Sequence, residues 1–209
     1  MTVKQILLMI PPGSELLETA VFTDIFGWDM LAGSKSCRLV SAGINKTQTT
    51  AFHQSFCPQL LLKDADPADF AALALPGGFP RYGYFDAEHD PDFLRIAEHF
   101  IRQDKPLAAV CTGVLLLARC GLLRGRTATI YPGENGRWQK QLRQEGVLLA
   151  KEKLCQDASL ISADGPASAH LAALRLLELL TDGNNARHTA EMMGWPDYSK
   201  GDNYERTDY

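Results

Sequence analysis

The residues of this chain best suited to chemistry lie in Leu107-Ala108-Ala109-Val110-Cys111-Thr112-Gly113, which runs on into Val114-Leu115-Leu116-Leu117-Ala118-Arg119-Cys120-Gly121. The short apolar run predicts a buried strand. A polar Cys-Thr-Gly turn follows, and then an apolar face at helical spacing. Such a turn lifts one side chain out of the sheet toward solvent and sets it at a helix N-terminus. Free N–H groups and the helix dipole there favour a thiolate. Cys111 is therefore the candidate nucleophile, presented as in elbow-type hydrolases although the residues differ from their Ser signature.

Two further stretches are expected to reach the same end of a sheet. Pro11-Pro12-Gly13-Ser14-Glu15-Leu16-Leu17-Glu18 follows the strand Ile6 to Ile10, and Pro76-Gly77-Gly78-Phe79 follows the strand Phe70 to Leu75. In open α/β sheets, sites form where strands end at their carboxyl ends. Glu15 and Glu18 are three apart and share a helix face. Both are candidates for an acid or base near the thiol, with Glu15 as a site-lining residue, although charge stabilisation of a helix start also explains Glu15. Glu18 lies next to the apolar Ala20-Val21-Phe22 and is expected to be buried with a raised pKa. It could then share a proton with Cys111 or act as a general base. The N–H groups of Gly77, Gly78 and Thr112 are the expected oxyanion donors, although a Pro-Gly-Gly alone reads as an ordinary turn.

The elements that must position these residues alternate along the chain. Helices are expected at Glu15 to Leu31, Asp90 to Gln103, after Cys111, at Asn135 to Glu145 and at Ala167 to Leu180. Further strands are expected at Cys37 to Ala42, Gln59 to Lys63, Thr127 to Tyr131, Val147 to Ala150, Leu154 to Gln156 and Leu160 to Ala163, with a polar turn or hairpin at Asn45 to Ser55. Repeated βα units imply a mostly parallel sheet covered on both faces. Residues 1–183 read as one domain, and 184–209 as a C-terminal extension, docked or partly disordered, that retains Met192, Met193, Trp195, Tyr198 and Tyr204.

Bulk properties narrow the function classes. The chain has 209 residues, 45% hydrophobic and 22% charged, which suffices for a well-buried core. A net charge of −4 argues against nucleic-acid binding. No apolar run is long enough to span a membrane, and the first residues lack the pattern of a signal peptide. A cytoplasmic location is expected. The five cysteines, Cys37, Cys57, Cys111, Cys120 and Cys155, form no C-x-x-C pair, so neither a metal site nor a redox dithiol is expected. His53 and His89 fall in loops without ligand spacing. His99 is placed on the exposed side of its helix, and His170 is read as a packing residue with a lesser claim to line the site.

Four segments together resemble the ThiJ/PfpI superfamily over roughly residues 3 to 180: Gly13-Ser14-Glu15-Leu16-Leu17-Glu18-Thr19, Leu75-Pro76-Gly77-Gly78, Ala109-Val110-Cys111-Thr112-Gly113 and Leu160-Ile161-Ser162-Ala163-Asp164-Gly165-Pro166. The resemblance implies a flavodoxin-like three-layer α/β/α sandwich, a homodimer and a cofactor-free reactive Cys111. It implies that Glu18 hydrogen-bonds the sulfur and that Gly77 and Gly78 form an oxyanion-binding turn. The chain departs from the family's deglycase-like members at Thr129-Ile130-Tyr131-Pro132, where Tyr131 stands in place of a histidine. Peptidases of the family place His directly after the cysteine, where this chain has Thr112. Amidotransferases of the fold need a later His-x-Glu, which neither His170 nor His188 begins. Both activities are therefore disfavoured. The elbow with Leu122-Leu123-Arg124-Gly125-Arg126 is also similar to the isocyanide hydratase branch. The resemblance implies a thiol enzyme acting on a small electrophile, of glyoxalase or deglycase type. An isocyanide hydratase is the alternative enzyme, and a redox sensor or stress chaperone the non-catalytic alternative.

Overall fold

The computed structural model describes residues 3–195. Its centre is a seven-stranded sheet. The strands are β1 (Lys4–Ile10), β2 (Cys37–Gly43), β5 (Leu60–Leu61), β6 (Ala72–Leu75), β7 (Leu107–Val110), β10 (Leu154–Asp157) and β11 (Leu160–Ala163). Their order is β10-β11-β7-β6-β1-β2-β5. All neighbours pair in parallel except β10 and β11, which form an antiparallel edge. The sheet is therefore mixed. Two residues, Ala158 and Ser159, join β10 to β11, too few for a crossover, so the pair must run antiparallel.

Helices cover both faces. They are α1 (Leu16–Ala32), α2 (Pro91–Arg102), α3 (Thr112–Arg119), α4 (Arg137–Gln144), α5 (Ala169–Leu180) and α6 (Gly183–Met192). The continuous apolar run of β1 follows from this double cover, since Ile6 to Ile10 are wholly buried. Alternate residues divide between two cores, because strand side chains point to opposite faces. Ile6, Leu8 and Ile10 meet Phe22, Ile25 and Phe26 of α1 and Leu174 and Leu177 of α5. Leu7 and Met9 join the core of Phe93, Ile96 and Phe100 of α2 and Leu115 of α3. Each such side chain contributes about 1.5–3 kcal/mol over its exposed state.

Most elements fall where their patterns place them, with shorter ends. The expected strand Thr127 to Tyr131 shrinks to β8 (Thr127–Ala128), which pairs with β9 (Leu148–Leu149) outside the main sheet. Pro132 and the left-handed Gly133 (φ 67°) end it early and leave Tyr131 exposed. The expected hairpin is present as β3 (Gln48–Thr49) and β4 (Ser55–Phe56). α2 starts as its sequence predicts: Asp90 Oδ1 accepts the N–H groups of Asp92 (3.0 Å) and Phe93 (2.9 Å) ahead of Pro91. α4 begins later than expected because Asn135 (φ 53°) and Gly136 (φ 68°) adopt left-handed conformations.

Residues 184–195 pack onto the sandwich, and the remainder of the expected extension lies outside the described residues. Ala186 and Ala190 of α6 enter the core shared with α1 and α5. A buried carboxylate, Asp29 near the end of α1, fastens this corner. Its Oδ1 accepts from Asn185 Nδ2 of α6 (2.7 Å) and from the Ser34 N–H (2.9 Å) and hydroxyl (2.9 Å), and its Oδ2 accepts from the N–H of Cys37 at the start of β2 (3.2 Å). His99 departs from the expected exposed position: it is half-buried, its Nε2 is enclosed without a partner, and its ring lies 5.6 Å from that of Phe100. Burial lowers its pKa. The helical pattern resolved the apolar stripe, but not the loop chain that covers the neighbouring face.

Replacing Asp29 strips three segments of their shared acceptor. Asp29→Ala is expected to cost about 3 kcal/mol, through buried donors left unpaired. Urea unfolding checks this, and an unchanged midpoint would refute the fastening role.

Candidate active site

Cys111 sits between β7 and α3 with φ 55° and ψ −130°. A positive φ is costly for a side chain bearing a Cβ, so surrounding bonds must hold it. One such bond is given by the Leu160 to Pro166 motif: the Cys111 N–H donates to the Ala163 carbonyl at the end of β11 (2.9 Å). A second constraint is the close approach of Gly113 to the carbonyls of Pro76 and Leu75. A Cβ there would lie 3.0 and 3.1 Å from those oxygens.

The three stretches converge as expected. Glu18 projects from the first turns of α1, and its Oε2 accepts the N–H of Gly77 (2.6 Å). The Glu15 N–H returns a bond to the Gly77 carbonyl (2.8 Å). Gly77 lies in the narrowest part of the site. A Cβ on it would stand 2.7 Å from Cys111 Cβ, 2.9 Å from Glu18 Oε2 and 2.9 Å from the Thr112 nitrogen. Only glycine lets thiol, carboxyl and helix N-terminus meet there. Gly78 is equally confined, because a Cβ would lie 2.2 Å from the Tyr84 ring and 2.4 Å from the Gly13 carbonyl.

Two expectations are corrected. Cys111 is not lifted into solvent; it is 6% exposed, because Glu18 and the Pro76-Gly77 segment close over it. Its thiol is pushed up rather than toward the thiolate. Burial is the main cause and the charge of Glu18 the next, and they outweigh the Thr112 N–H, which stabilises the anion as the helix N-terminus predicts. The N–H groups of Gly77 and Gly78, expected to bind an oxyanion, are engaged within the chain. The Gly77 N–H is engaged by Glu18. The Gly78 N–H is engaged by Thr112 Oγ1 (2.9 Å), which donates back to the Gly78 carbonyl (2.7 Å).

Glu18 is wholly buried, and its Oε1 has no geometric hydrogen-bond partner. Burial, then the nearby Glu15, raises its pKa to about 8, against the lowering effect of the Gly77 N–H and the Cys111 thiol. Carboxyl and thiol are thus a coupled pair that holds its protons at neutral pH. Glu15 is half-buried, and burial raises its pKa too.

The remaining candidates stand farther out. Tyr131 is 45% exposed, and its ring lies 3.3 Å from where a Cβ on Gly165 would be. His170 is engaged in packing: its ring lies 5.1 Å from that of Trp195, and it bonds the Ala167 backbone. Tyr84 belongs to the site but carries no signal in the sequence. Wholly buried, it donates its hydroxyl to the Pro76 carbonyl and braces Gly78 from beneath. It opens a short 3-10 helix (Tyr84–His89), to which the spacing rules of α-helix and strand do not apply. Phe52, at the tip between β3 and β4, takes φ 60° and packs near Phe79 (5.4 Å) and Tyr82 (6.0 Å), so part of the loop read as polar turns an aromatic group toward the Gly78 turn.

This sandwich, with an acid and a cysteine joined across a glycine, defines a class that sequence comparison names. The model of the DJ-1/PfpI family matches residues 4–179, and the chain belongs to that family. Its structure is similar to that of Drosophila melanogaster DJ-1beta, with a TM-score of 0.80 at 21% identity, covering 92% of this chain and 98% of that one. An uncharacterised protein of Methanocaldococcus jannaschii is 26% identical over 121 residues, which are 58% of this chain and 57% of its own length. A deglycase of Pyrococcus abyssi is 35% identical over 81 residues, 35% of this chain and 43% of its own length. The matches thus span about half of these two relatives. Among the described residues, no helix is long and apolar enough to cross a membrane.

The Glu18 pair predicts a pH signature in stability. The folded carboxyl keeps its proton up to about pH 8, whereas the unfolded chain releases it near 4.5. The folded state binds the extra proton in between, so this contribution is full below the lower value and is lost as pH rises through the higher. Chemical denaturation from pH 5 to 9 is expected to show the decline. Glu18→Gln, neutral throughout, should flatten it; a variant with the parent's slope would assign the decline to another group.

Proposed function

We propose that the protein is a cofactor-free thiol enzyme acting on a small carbonyl electrophile, with Cys111 as nucleophile on a strand-to-helix elbow and Glu18 as its proton carrier. The observation that carries this reading is the carboxyl and thiol held together across Gly77 in a buried site. Family membership and the deglycase among the relatives support it.

The chemistry follows from the pair. The ionised fraction of Glu18 takes the thiol proton as sulfur attacks the aldehyde carbon. A C–S bond forms, the C=O π pair moves to oxygen, and Glu18 returns the proton to that oxygen. The product is a neutral hemithioacetal. Because the proton arrives with the charge, the step asks less of a preformed oxyanion hole, consistent with the donors already engaged around Gly77 and Gly78. The Thr112 N–H, next in the chain to Cys111, is the donor for the new oxygen. For an α-oxoaldehyde, the C–H proton of the former aldehyde carbon then moves to the neighbouring carbonyl carbon and the hemithioacetal hydroxyl proton to that carbonyl's oxygen. The resulting thioester is hydrolysed by one water to a hydroxy acid and free Cys111. Tyr131, where related members have histidine, offers a phenol hydroxyl as a hydrogen-bond donor.

Methylglyoxal turnover tests the proposal. Cys111→Ser should abolish it, with a loss of at least about 1,000-fold, and Glu18→Gln should lower it about 100-fold or more. The parent rate should climb between pH 6 and about 8 as Glu18 ionises, and that limb should vanish in Glu18→Gln. Turnover that survives Cys111→Ser would overturn the thiol mechanism.

A further inference from the structure

We propose that Phe52, with Phe79, is an aromatic specificity subsite at the mouth of the Cys111 site, selecting carbonyl compounds that carry an aryl group next to the reacting centre. This rests on Cys111 being the nucleophile toward such compounds. Phe52 stands at the tip between β3 and β4 with φ 60° and ψ 27°, and His53 follows it with φ 60°. Consecutive left-handed residues that bear a Cβ are costly, and strained backbone of this kind collects at ligand sites. Here it leaves a large apolar ring 59% exposed instead of folding it into the core.

The tip is fastened to the loops that build the site. The Ala51 N–H donates to the Ser14 carbonyl (2.8 Å) and the Gly13 N–H to the Thr49 carbonyl (2.8 Å). Ser14 pairs with Gly78, and the Phe79 N–H donates to the Gly13 carbonyl (3.0 Å). A Cβ on Gly77 would lie 2.7 Å from Cys111 Cβ, so Phe79, two residues further on, has its Cα within about 12 Å of that atom. The Phe52 ring lies 5.4 Å from the half-buried Phe79 ring, tilted by 57°. Tyr82 braces the pair at 6.0 and 6.3 Å. Its own ring is taken up by the His53 ring (5.2 Å) and the Arg81 guanidinium (5.7 Å), which leaves Phe52 and Phe79 as the open aromatic wall. Rings associate in tilted or offset pairs at such spacings, so a substrate ring can join as a third member. An aryl α-oxoaldehyde carries its ring one carbonyl away from the carbon that sulfur attacks.

Alkylation of the full-length protein with two α-bromoketones reads the subsite without any turnover. Bromoacetone and phenacyl bromide both form a C–S bond at the carbon bearing bromine, with loss of bromide and the thiol proton passing to Glu18 or solvent. Only the second carries a phenyl group. Peptide mass spectrometry gives the rate at Cys111, and glutathione gives the intrinsic ratio of the two reagents. Relative to glutathione, Cys111 is expected to favour phenacyl bromide about 30-fold. Phe52→Asn removes the ring with a residue that tolerates the left-handed backbone, and should cut this preference about 10-fold. Phe52→Tyr should retain most of it. No preference in the parent, or one unmoved by Phe52→Asn, would overturn the subsite while leaving Cys111 a nucleophile. A Phe52→Asn protein that keeps the preference but sediments as a smaller species would make Phe52 an interface residue and overturn the subsite too. Failure of both reagents at Cys111, while glutathione reacts, would overturn the nucleophile reading and the subsite with it. In turnover, Phe52→Asn should lower the kcat/KM for phenylglyoxal relative to methylglyoxal; an unchanged ratio would count against the subsite.

Discussion

The contact on which the site depends is the approach of the Gly77 backbone to Cys111, Glu18 and the first turn of α3. Its N–H holds the carboxylate oxygen at 2.6 Å. Its missing side chain leaves the space in which thiol and acid meet. A methyl group there would overlap all three partners. The strained Cys111, the buried Glu18 and the two hydrogen bonds between Thr112 and Gly78 are geometries that this approach permits and that the neighbouring strands enforce.

The electrostatics follow from the same closeness. Burial raises both the acid and the thiol, while the Gly77 and Thr112 N–H groups lower them. Burial prevails on each. The pair consequently behaves as a proton store rather than as a standing ion pair, unlike a Cys-His dyad, in which imidazolium and thiolate stabilise each other.

The scaffold keeps these groups in register through ordinary forces. Double-faced burial of β1 orders the sheet centre, β6 lies beside it and β7 beside β6, all parallel, so the loops leaving all three strands emerge at one end. Bonds between those loops finish the alignment. Phe79 and Glu15 donate to the carbonyls of Gly13 and Gly77, Cys111 donates to Ala163, and the Tyr84 hydroxyl donates to Pro76. At the opposite corner, Asp29 ties α1, β2 and α6 into one unit.

Local pattern was enough for much of this. The apolar runs of β1, β6 and β7, the Asp90-Pro91 cap, the helix following Cys111 and the candidacy of Cys111, Glu18 and the two glycines were all legible, because period, capping chemistry and turn residues act over a few positions. What depends on partners distant in sequence was not. The burial of Cys111 and its raised pKa are set by Glu18 and Gly77 arriving from two other segments. The engagement of the Gly77 and Gly78 donors needs the Glu18 carboxyl and the Thr112 hydroxyl in place. The reversal of β10, the shortened strand before Tyr131 and the bracing by Tyr84 likewise follow from packing. The sequence alone determined which residues could react, because reactivity begins with side-chain type and local backbone. Tertiary structure decided their protonation and their partners, because desolvation and hydrogen bonding depend on what the folded chain brings within a few ångströms.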